Sequence, residues 1–358
     1  MRPFYEAQGA VRLWQGHVLD GLAQEAAHAV QCCVTSPPYF GLRDYGLPSS
    51  DWPEVRFVPM AGLEPVIVPK WRGCLGLEEE PRSFVGHIVH VFREVRRVLA
   101  DSGTLWLNIG DSYAGSWGGQ GRQGKTGELA GRGAAAVRQI AASAKRQSRT
   151  GSLSRMEGLK NKDLIGIPWR VAFALQADGW HLRSDIIWAK PNPMPESVRD
   201  RPTKAHEYLF LFTKCDRYFY DAEAAREPDS GRAAGNGFSG RQGRSTRVGP
   251  QSGGTGSKEP WSPGGGRNTR SVWPITTQPV RGAHFATMPP ALAERCVLAG
   301  TKAGDWVLDP FSGAGTTGLV SLRSGRRFVG VDLSPKFCEL ALKRWRTEFH
   351  LFLPRGAA

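Results

Sequence analysis

The six cysteines, Cys32, Cys33, Cys74, Cys215, Cys296 and Cys338, form no C-x-x-C pair, and no His/Cys cluster has zinc spacing. A disulfide framework and a structural zinc are thereby excluded, and the cysteines read as reduced, mostly buried thiols. His206-Glu207 opens like an H-E-x-x-H metal helix, but residue 210 is Phe, so the second ligand is missing and no metal is expected. No run of about 18 apolar residues occurs, which excludes a transmembrane helix and any membrane partner. The N-terminus, MRPFYEAQGAVRLW, lacks an apolar signal core, so a cytoplasmic location is expected. Acidic residues are scarce beside basic ones, 33 Asp and Glu against 47 Lys and Arg, for a formal net charge of +14. That imbalance favours a polyanionic partner such as nucleic acid.

Large apolar residues are scarce in two stretches, 114–162 and 226–270, both rich in Gly, Ser and Arg. Such segments cannot bury enough surface to offset the entropy of ordering, so both are expected to be mobile when unbound. Within the first, GAAAVRQIAASAKRQ reads as a short basic helix. The two stretches are either solvated insertions without a role or basic arms that close on a phosphate backbone.

The rest of the 358 residues alternates strand and helix. Strands are expected at 11–16, 31–36, 103–110, 181–190, 207–214, 305–311 and 327–333, with helices at 83–100, 167–179, 289–300, 316–325 and 334–348. The helix at 83–100 gathers Phe84, Ile88, Val91, Phe92, Val95 and Leu99 on one side and leaves Arg93, Arg96 and Arg97 outside. This pattern implies an α/β fold with a doubly wound, mostly parallel sheet.

Near the C-terminus, DWVLDPFSGAGTTGLVSLRSGRRFVGVDLSP holds a strand ending at Asp309, a turn, a helix from about Thr316 and a second strand ending at Asp332. Gly313, Gly315 and Gly318 make a G-x-G-x-x-G. Glycines permit a sharp turn and close backbone approach to a ligand, and an acid at the second strand's end can accept both hydroxyl protons of a ribose. A lone glycine triplet is weak evidence, but here strand, helix, second strand and acid all stand in place, so an adenosine-containing ligand is expected. NAD and S-adenosylmethionine both fit this unit. Position separates them: only one helix follows Asp332, so upstream strands must complete the sheet, and the chain is circularly permuted relative to a nicotinamide dehydrogenase.

The N-terminal half supplies CCVTSPPYFGLRDYG. Its strand ends at Val34-Thr35, and Pro37 and Pro38 stiffen the chain beyond it and remove two amide donors. The corner Ser36-Pro37-Pro38-Tyr39 should lie at the C-terminal edge of the sheet, where ligands of open α/β sheets bind. The set suits an exocyclic amine, whose lone pair is delocalised into its ring. The Ser36 hydroxyl and the Pro37 carbonyl can accept its two N–H bonds and free that lone pair for attack, and Tyr39 can stack on the base. The connection 190–204, basic and proline-rich, would contact a flipped nucleotide if the sheet is parallel there, or would only position the last strand.

These motifs resemble the permuted beta class of amino-methylating DNA methyltransferases, in which [SND]-P-P-[YFW] precedes the F-x-G-x-G cofactor motif. The resemblance extends through GTLWLNIGDSY (103–113), DIIWAKPNPMPESVRDRPTKAHEYLFLFTK (185–214) and HFATMPPALAERCVLAG (284–300). It implies a Rossmann-like methyltransferase sheet, S-adenosylmethionine as cofactor and double-stranded DNA as partner, with room for a homodimer and a cognate restriction endonuclease. It implies a catalytic half at 1–225, a flexible recognition segment at 226–270 and a cofactor half at 271–358. It implies that Asp309, Phe311, Gly313, Gly315, Thr316, Thr317 and Asp332 contact the cofactor, with His284, Phe285 and Thr287 nearby. The family often has Gly-Asp ahead of the catalytic strand near the cofactor adenine; here His17 stands there, with Asp20 three residues on. A T-S-P-P-Y corner goes more with cytosine N4 and D-P-P-Y with adenine N6, so N4 is expected and N6 is the alternative. Ring methylation at C5 needs a thiolate, usually in a Pro-Cys dipeptide, and the chain has none. A nicotinamide oxidoreductase, an RNA or protein-glutamine methylase and an inactive nucleic-acid binder are the other readings. Glutamine methylases usually carry N-P-P-Y with the cofactor motif first, and the intact motif pair argues against an inactive binder.

Overall fold

The central strand Val30–Thr35 (β3) is apolar almost throughout because both of its faces are covered: Cys33 packs into one core, and Cys32 and Val34 into another. A computed structural model shows how the rest of the chain builds these two layers. It describes residues 2–7, 9–42, 44–114, 158–227, 267–278, 280 and 287–349. Most of both Gly/Arg-rich stretches, residues 115–157 and 228–266 with the expected basic helix, therefore lies outside the described residues, as do His284 and Phe285.

Ahead of β3 come Tyr5–Ala7 (β1), Val11–Gln15 (β2) and Val18–Leu22 (α1). After it come four three-residue strands, Ser50–Trp52 (β4), Val55–Phe57 (β5), Val66–Val68 (β6) and Trp71–Gly73 (β7), then Pro81–Val98 (α2) and Leu99–Ile109 (β8). Ile167–Ala177 (α3), His181–Ala189 (β9), His206–Thr213 (β10) and Val272–Pro274 (β11) follow. Pro290–Gly300 (α4), Trp306–Asp309 (β12), Thr316–Arg323 (α5), Arg327–Asp332 (β13) and Pro335–Glu348 (α6) complete the order.

Nine strands make one sheet in the order β1-β2-β13-β12-β3-β8-β10-β9-β11. β2, β13, β12, β3 and β8 are parallel neighbours; β1 and β10 run against the rest. The C-terminal strands are interleaved with N-terminal ones, β12 beside β3 and β13 beside β2, so both ends of the chain complete a single sheet. Side chains of α1, α2 and α3 fill the core on one face, and those of α4, α5 and α6 fill it on the other. The fold is thus the expected doubly wound, mostly parallel α/β sheet. No helix among the described residues is long and apolar enough to cross a membrane.

Three details differ from the sequence reading. Arg93 and Arg97 lie on the outer side as expected, but they are only partly exposed and are bonded to neighbouring elements. Arg93 makes a paired salt bridge with Asp178 just after α3, and Arg97 donates to the carbonyls of Leu22 and Glu25 at the end of α1. The outer edge of α2 is therefore stitched to its neighbours, as long Arg side chains with planar donor sets allow. Second, β9 and β10 pair antiparallel, because their connection is a hairpin-like arm and not a crossover. β9 still runs with β8, so the 190–205 arm lies at the same edge as the end of β3. Third, the two small sheets β4–β7 and β5–β6 were not expected. They pack on α2, where Gly86 leaves room for Val68 and Phe57.

Candidate active site

β3 and β12 are neighbours in register, Cys33 opposite Leu308, so the chains leaving them emerge side by side. Thr35 Oγ1, at the end of β3, donates to Asp309 Oδ1 at 2.7 Å. Thr317 Oγ1, on the first turn of α5, donates to Val34 O at 3.2 Å. The Ser36–Tyr39 corner and the glycine turn are thereby bonded together at the C-terminal edge of the sheet, although Thr35 and Asp309 are 274 positions apart.

On the cofactor side, the Asp332 carboxylate is half-buried at the end of β13. It accepts from Gly313 N and Ser334 N, both at 2.7 Å. Each oxygen keeps a lone pair for a further donor. Burial raises this carboxyl to about 6 against the pull of those two amides. Asp309 is raised to about 6 by burial as well, but its Oδ1 already accepts from both Thr35 Oγ1 and Phe311 N inside the protein. Gly313 has φ +52°, and an added Cβ would find its nearest neighbour, Phe311 O, at 3.8 Å. This is the glycine of the turn with space in front of it. Gly315 and Gly318 are glycine for another reason. A Cβ on Gly315 would meet Ala341 Cβ at 2.6 Å, and one on Gly318 would meet Trp345 Cζ2 at 2.5 Å. Trp345 also donates its indole N–H to Gly315 O at 2.9 Å. Two of the three glycines thus seat α6 beneath the turn, and Arg344 on α6 donates to Ala314 O and Thr316 Oγ1. Thr287 Oγ1 donates to Gln278 O at 3.5 Å and is not bonded to this turn. Phe311 is half-buried against the core under α1–α3.

On the catalytic side, Ser36 Oγ donates to Tyr39 Oη at 3.1 Å, which leaves the serine lone pairs to accept from a substrate. Tyr39 donates to Glu207 Oε2 at 2.6 Å. Burial, then the Glu207 charge, holds the phenol well above its usual range, so it stays a donor. The ring lies against Gly110, where a Cβ would come within 2.6 Å of Cε2. Asn108 Nδ2 donates to the same Glu207 oxygen at 3.2 Å, and Lys190 pairs with Oε1. Pro37 is buried and Pro38 half-buried between these groups.

Asn108 was not singled out from sequence, Glu207 entered only as half of an incomplete metal motif, and Lys190 only as the start of the basic connection. The available signal was an acid at the start of HEYLFLFT, whose later residues, Leu209 to Thr213, are all buried. A carboxylate entering such a strand needs partners.

His17, ahead of α1, sits one residue past Gly16, whose N–H donates to Asp332 O at 2.9 Å. Its ring packs edge-on against Trp52 at 4.6 Å, its Nε2 is buried without a partner, and burial lowers its pKa. Cys32 and Cys33 are fully buried, and burial pushes Cys32 up to about 12, so neither is a nucleophile. No group of three or more metal-ligating side chains occurs among the described residues.

A family model described as DNA methylase matches residues 30–343. The chain is 41% identical over 343 residues to the Type II methyltransferase M.Cfr9I of Citrobacter freundii, covering 96% of this chain and 90% of that one. It is 42% identical to M.XycI of Xanthomonas campestris pv. cyanopsidis over 93% and 86% of the two chains. M.SmaI of Serratia marcescens is 41% identical over 91% and 89%. Among solved structures, the PvuII DNA methyltransferase (cytosine-N4-specific) superposes with TM-score 0.57 at 16% identity, covering all of this chain and 91% of that one. A putative DNA modification methylase of Thermus thermophilus, complexed with S-adenosyl-L-methionine, gives 0.52 at 21% identity over 94% and 95%. At these identities the two structures speak for the fold.

Proposed function

We propose, from the premise that this chain belongs to the N6/N4 DNA methylase family, that it methylates N4 of a cytosine flipped out of double-stranded DNA, with S-adenosylmethionine as donor. The observation that carries this reading is the bonded junction of Ser36–Tyr39 with the glycine turn at one sheet edge. The residues on the cofactor side suit such a donor: Asp332 has lone pairs for ribose hydroxyls, and Gly313 has open space before it.

When bound, S-adenosylmethionine supplies a methyl group on a positively charged sulfur. Asp332 orients its ribose, and the Gly313 backbone lets it lie close. Ser36 Oγ and the Pro37 carbonyl accept the two N–H bonds of the target amine, which draws the nitrogen out of conjugation and aims its lone pair. Tyr39 stacks on the base with the face turned away from Gly110, and Glu207, Asn108 and Lys190 fix the angle of the ring. Ser36 and Pro37 would hold the amine for the methyl group that the cofactor would supply, with the sulfur left as a neutral thioether and one amine proton passing to solvent.

The T-S-P-P-Y corner goes more with cytosine N4 in the family it resembles, and adenine N6 is the second reading because the same two acceptors serve either amine. The Type II names of the relatives fit a restriction–modification context, in which a cognate restriction endonuclease in the same cytoplasm would be the partner. The test is methylation of plasmid DNA followed by nucleoside mass spectrometry. N4-methylcytosine is expected; N6-methyladenine would move the assignment to the second reading, and 5-methylcytosine or no modified base would overturn both.

A further inference from the structure

The 190–205 arm carries the most exposed large apolar side chain among the described residues, Met194 at 84%, ahead of Ile67 at 59%. Isolated exposed apolar residues are ordinary on protein surfaces. This one differs in how it is held. Its arm is closed at the base, where Lys190 N donates to Ala205 O at 2.8 Å. Two residues before Met194, Asn192 is bonded in both directions to Thr277: Thr277 N donates to Asn192 Oδ1 at 3.0 Å, and Asn192 Nδ2 donates to Thr277 O at 3.4 Å. Two residues after it, Glu196 accepts from Arg201 Nη1 at 2.7 Å and from Lys204 N at 3.4 Å. The tip Pro193-Met194-Pro195 is thus pinned on both sides and pushed outward.

Three of the five residues 191–195 are prolines, which carry no N–H and hold φ fixed. Such a tip brings only the Met194 N–H into an apolar space, and it loses little further entropy in doing so. The arm starts at Lys190, which pairs with the Glu207 that holds Tyr39. Four residues span at most about 14 Å, so Met194 stays within that reach of Lys190, at the sheet edge where β3 ends. The chain carries +14 net charge, which suits a phosphate-lined partner.

We propose that Met194 is a wedge that enters the base stack of duplex DNA and fills the gap left by the extruded target nucleotide. This rests on the DNA-methylating reading above. An apolar side chain between base steps offsets part of the unstacking that extrusion costs. The wedge is therefore needed for a paired target and dispensable for an unpaired one.

The test compares Met194→Ala with the wild type in single-turnover methylation of oligonucleotide duplexes carrying the site mapped on methylated plasmid. In one duplex the target base is paired; in the other it faces an abasic position. The variant should be at least about tenfold slower on the paired duplex and within about twofold of wild type on the unpaired one. Its melting temperature and cofactor affinity should be unchanged, since Met194 touches neither core nor cofactor turn. Equal rates for both proteins on the paired duplex would overturn the proposal. So would an equal loss on both duplexes, or a loss that tracks a change in oligomeric state. If wild-type protein methylates neither duplex nor plasmid, the DNA reading itself fails, a result distinct from any of these.

Discussion

Ser36 has its proton engaged by Tyr39, which leaves its lone pairs to accept. Ser36→Ala should therefore lower kcat by about a hundredfold or more, in the range seen when one preorganised polar group is removed, while cofactor affinity stays near wild type. A titration of cofactor binding beside single-turnover rates checks both halves. Asp332 carries the opposite prediction. Each hydrogen bond to a charged group is worth about 1.5–3 kcal/mol, and about 1.4 kcal/mol is tenfold in affinity, so Asp332→Ala should weaken cofactor binding at least tenfold. The pH dependence follows from the raised carboxyl. Ribose hydroxyls donate to the ionised form, and Asp332 without ligand ionises at about 6. Cofactor affinity should rise with pH through about 6 and level off above it, and Asp332→Asn should flatten that rise. Isothermal titration between pH 5 and 8 reads it directly.

Helix α6 carries part of the glycine turn. A Cβ at Gly318 would sit 2.5 Å from Trp345 Cζ2 and 2.8 Å from Phe328 Cδ1. Overpacking of that kind costs about 1–3 kcal/mol, and Trp345→Ala alone should cost about 3–5 kcal/mol. Because the two changes share one contact, the double variant should lose less than the sum, which a denaturant double-mutant cycle will show; strict additivity would remove Trp345 as the reason for the glycine. The 190–205 arm and strand β10 make a second unit. Glu207 joins Tyr39, Asn108 and Lys190, so Glu207→Ala should lower kcat by roughly tenfold through a misplaced ring while cofactor affinity holds. An unchanged kcat would make the cluster purely structural. Seven of the nine strands of the main sheet and five of the six helices among the described residues were legible from apolar runs and alternation; β1, β11 and α1 were not. The strands β4 to β7 were not, because three-residue strands among prolines and charges carry too little period to detect.

For the whole molecule, the +14 charge gives DNA affinity a steep salt dependence, with a slope of about −0.9 per phosphate contacted in a log–log plot. A slope near zero in filter binding between 50 and 200 mM salt would remove the basic arms from DNA binding. Both Gly/Arg-rich stretches leave and re-enter the described fold at tied necks. Tyr113 bridges Leu164 at the first, where Asp111 also accepts from Gly166 N and Ile167 N. Glu227 and Arg267 exchange backbone bonds at the second, with Arg270 on the same carboxylate.

Composition, the Ser36–Tyr39 corner, the F-x-G-x-G turn and the acid at Asp332 were fixed by local order along the chain, because each is a short run whose residue types dictate backbone shape and chemistry. Strand period did the same for the doubly wound sheet. Only the folded chain decided which glycine has open space before it and which faces Trp345, because that depends on a helix some thirty residues away. Only the fold joined Tyr39 to Glu207 across 168 positions and Thr35 to Asp309 across 274. Those contacts arise from strand order, β12 between β13 and β3 and β10 beyond β8. Strand order is set by packing two covered faces at once, which no local run of residues specifies.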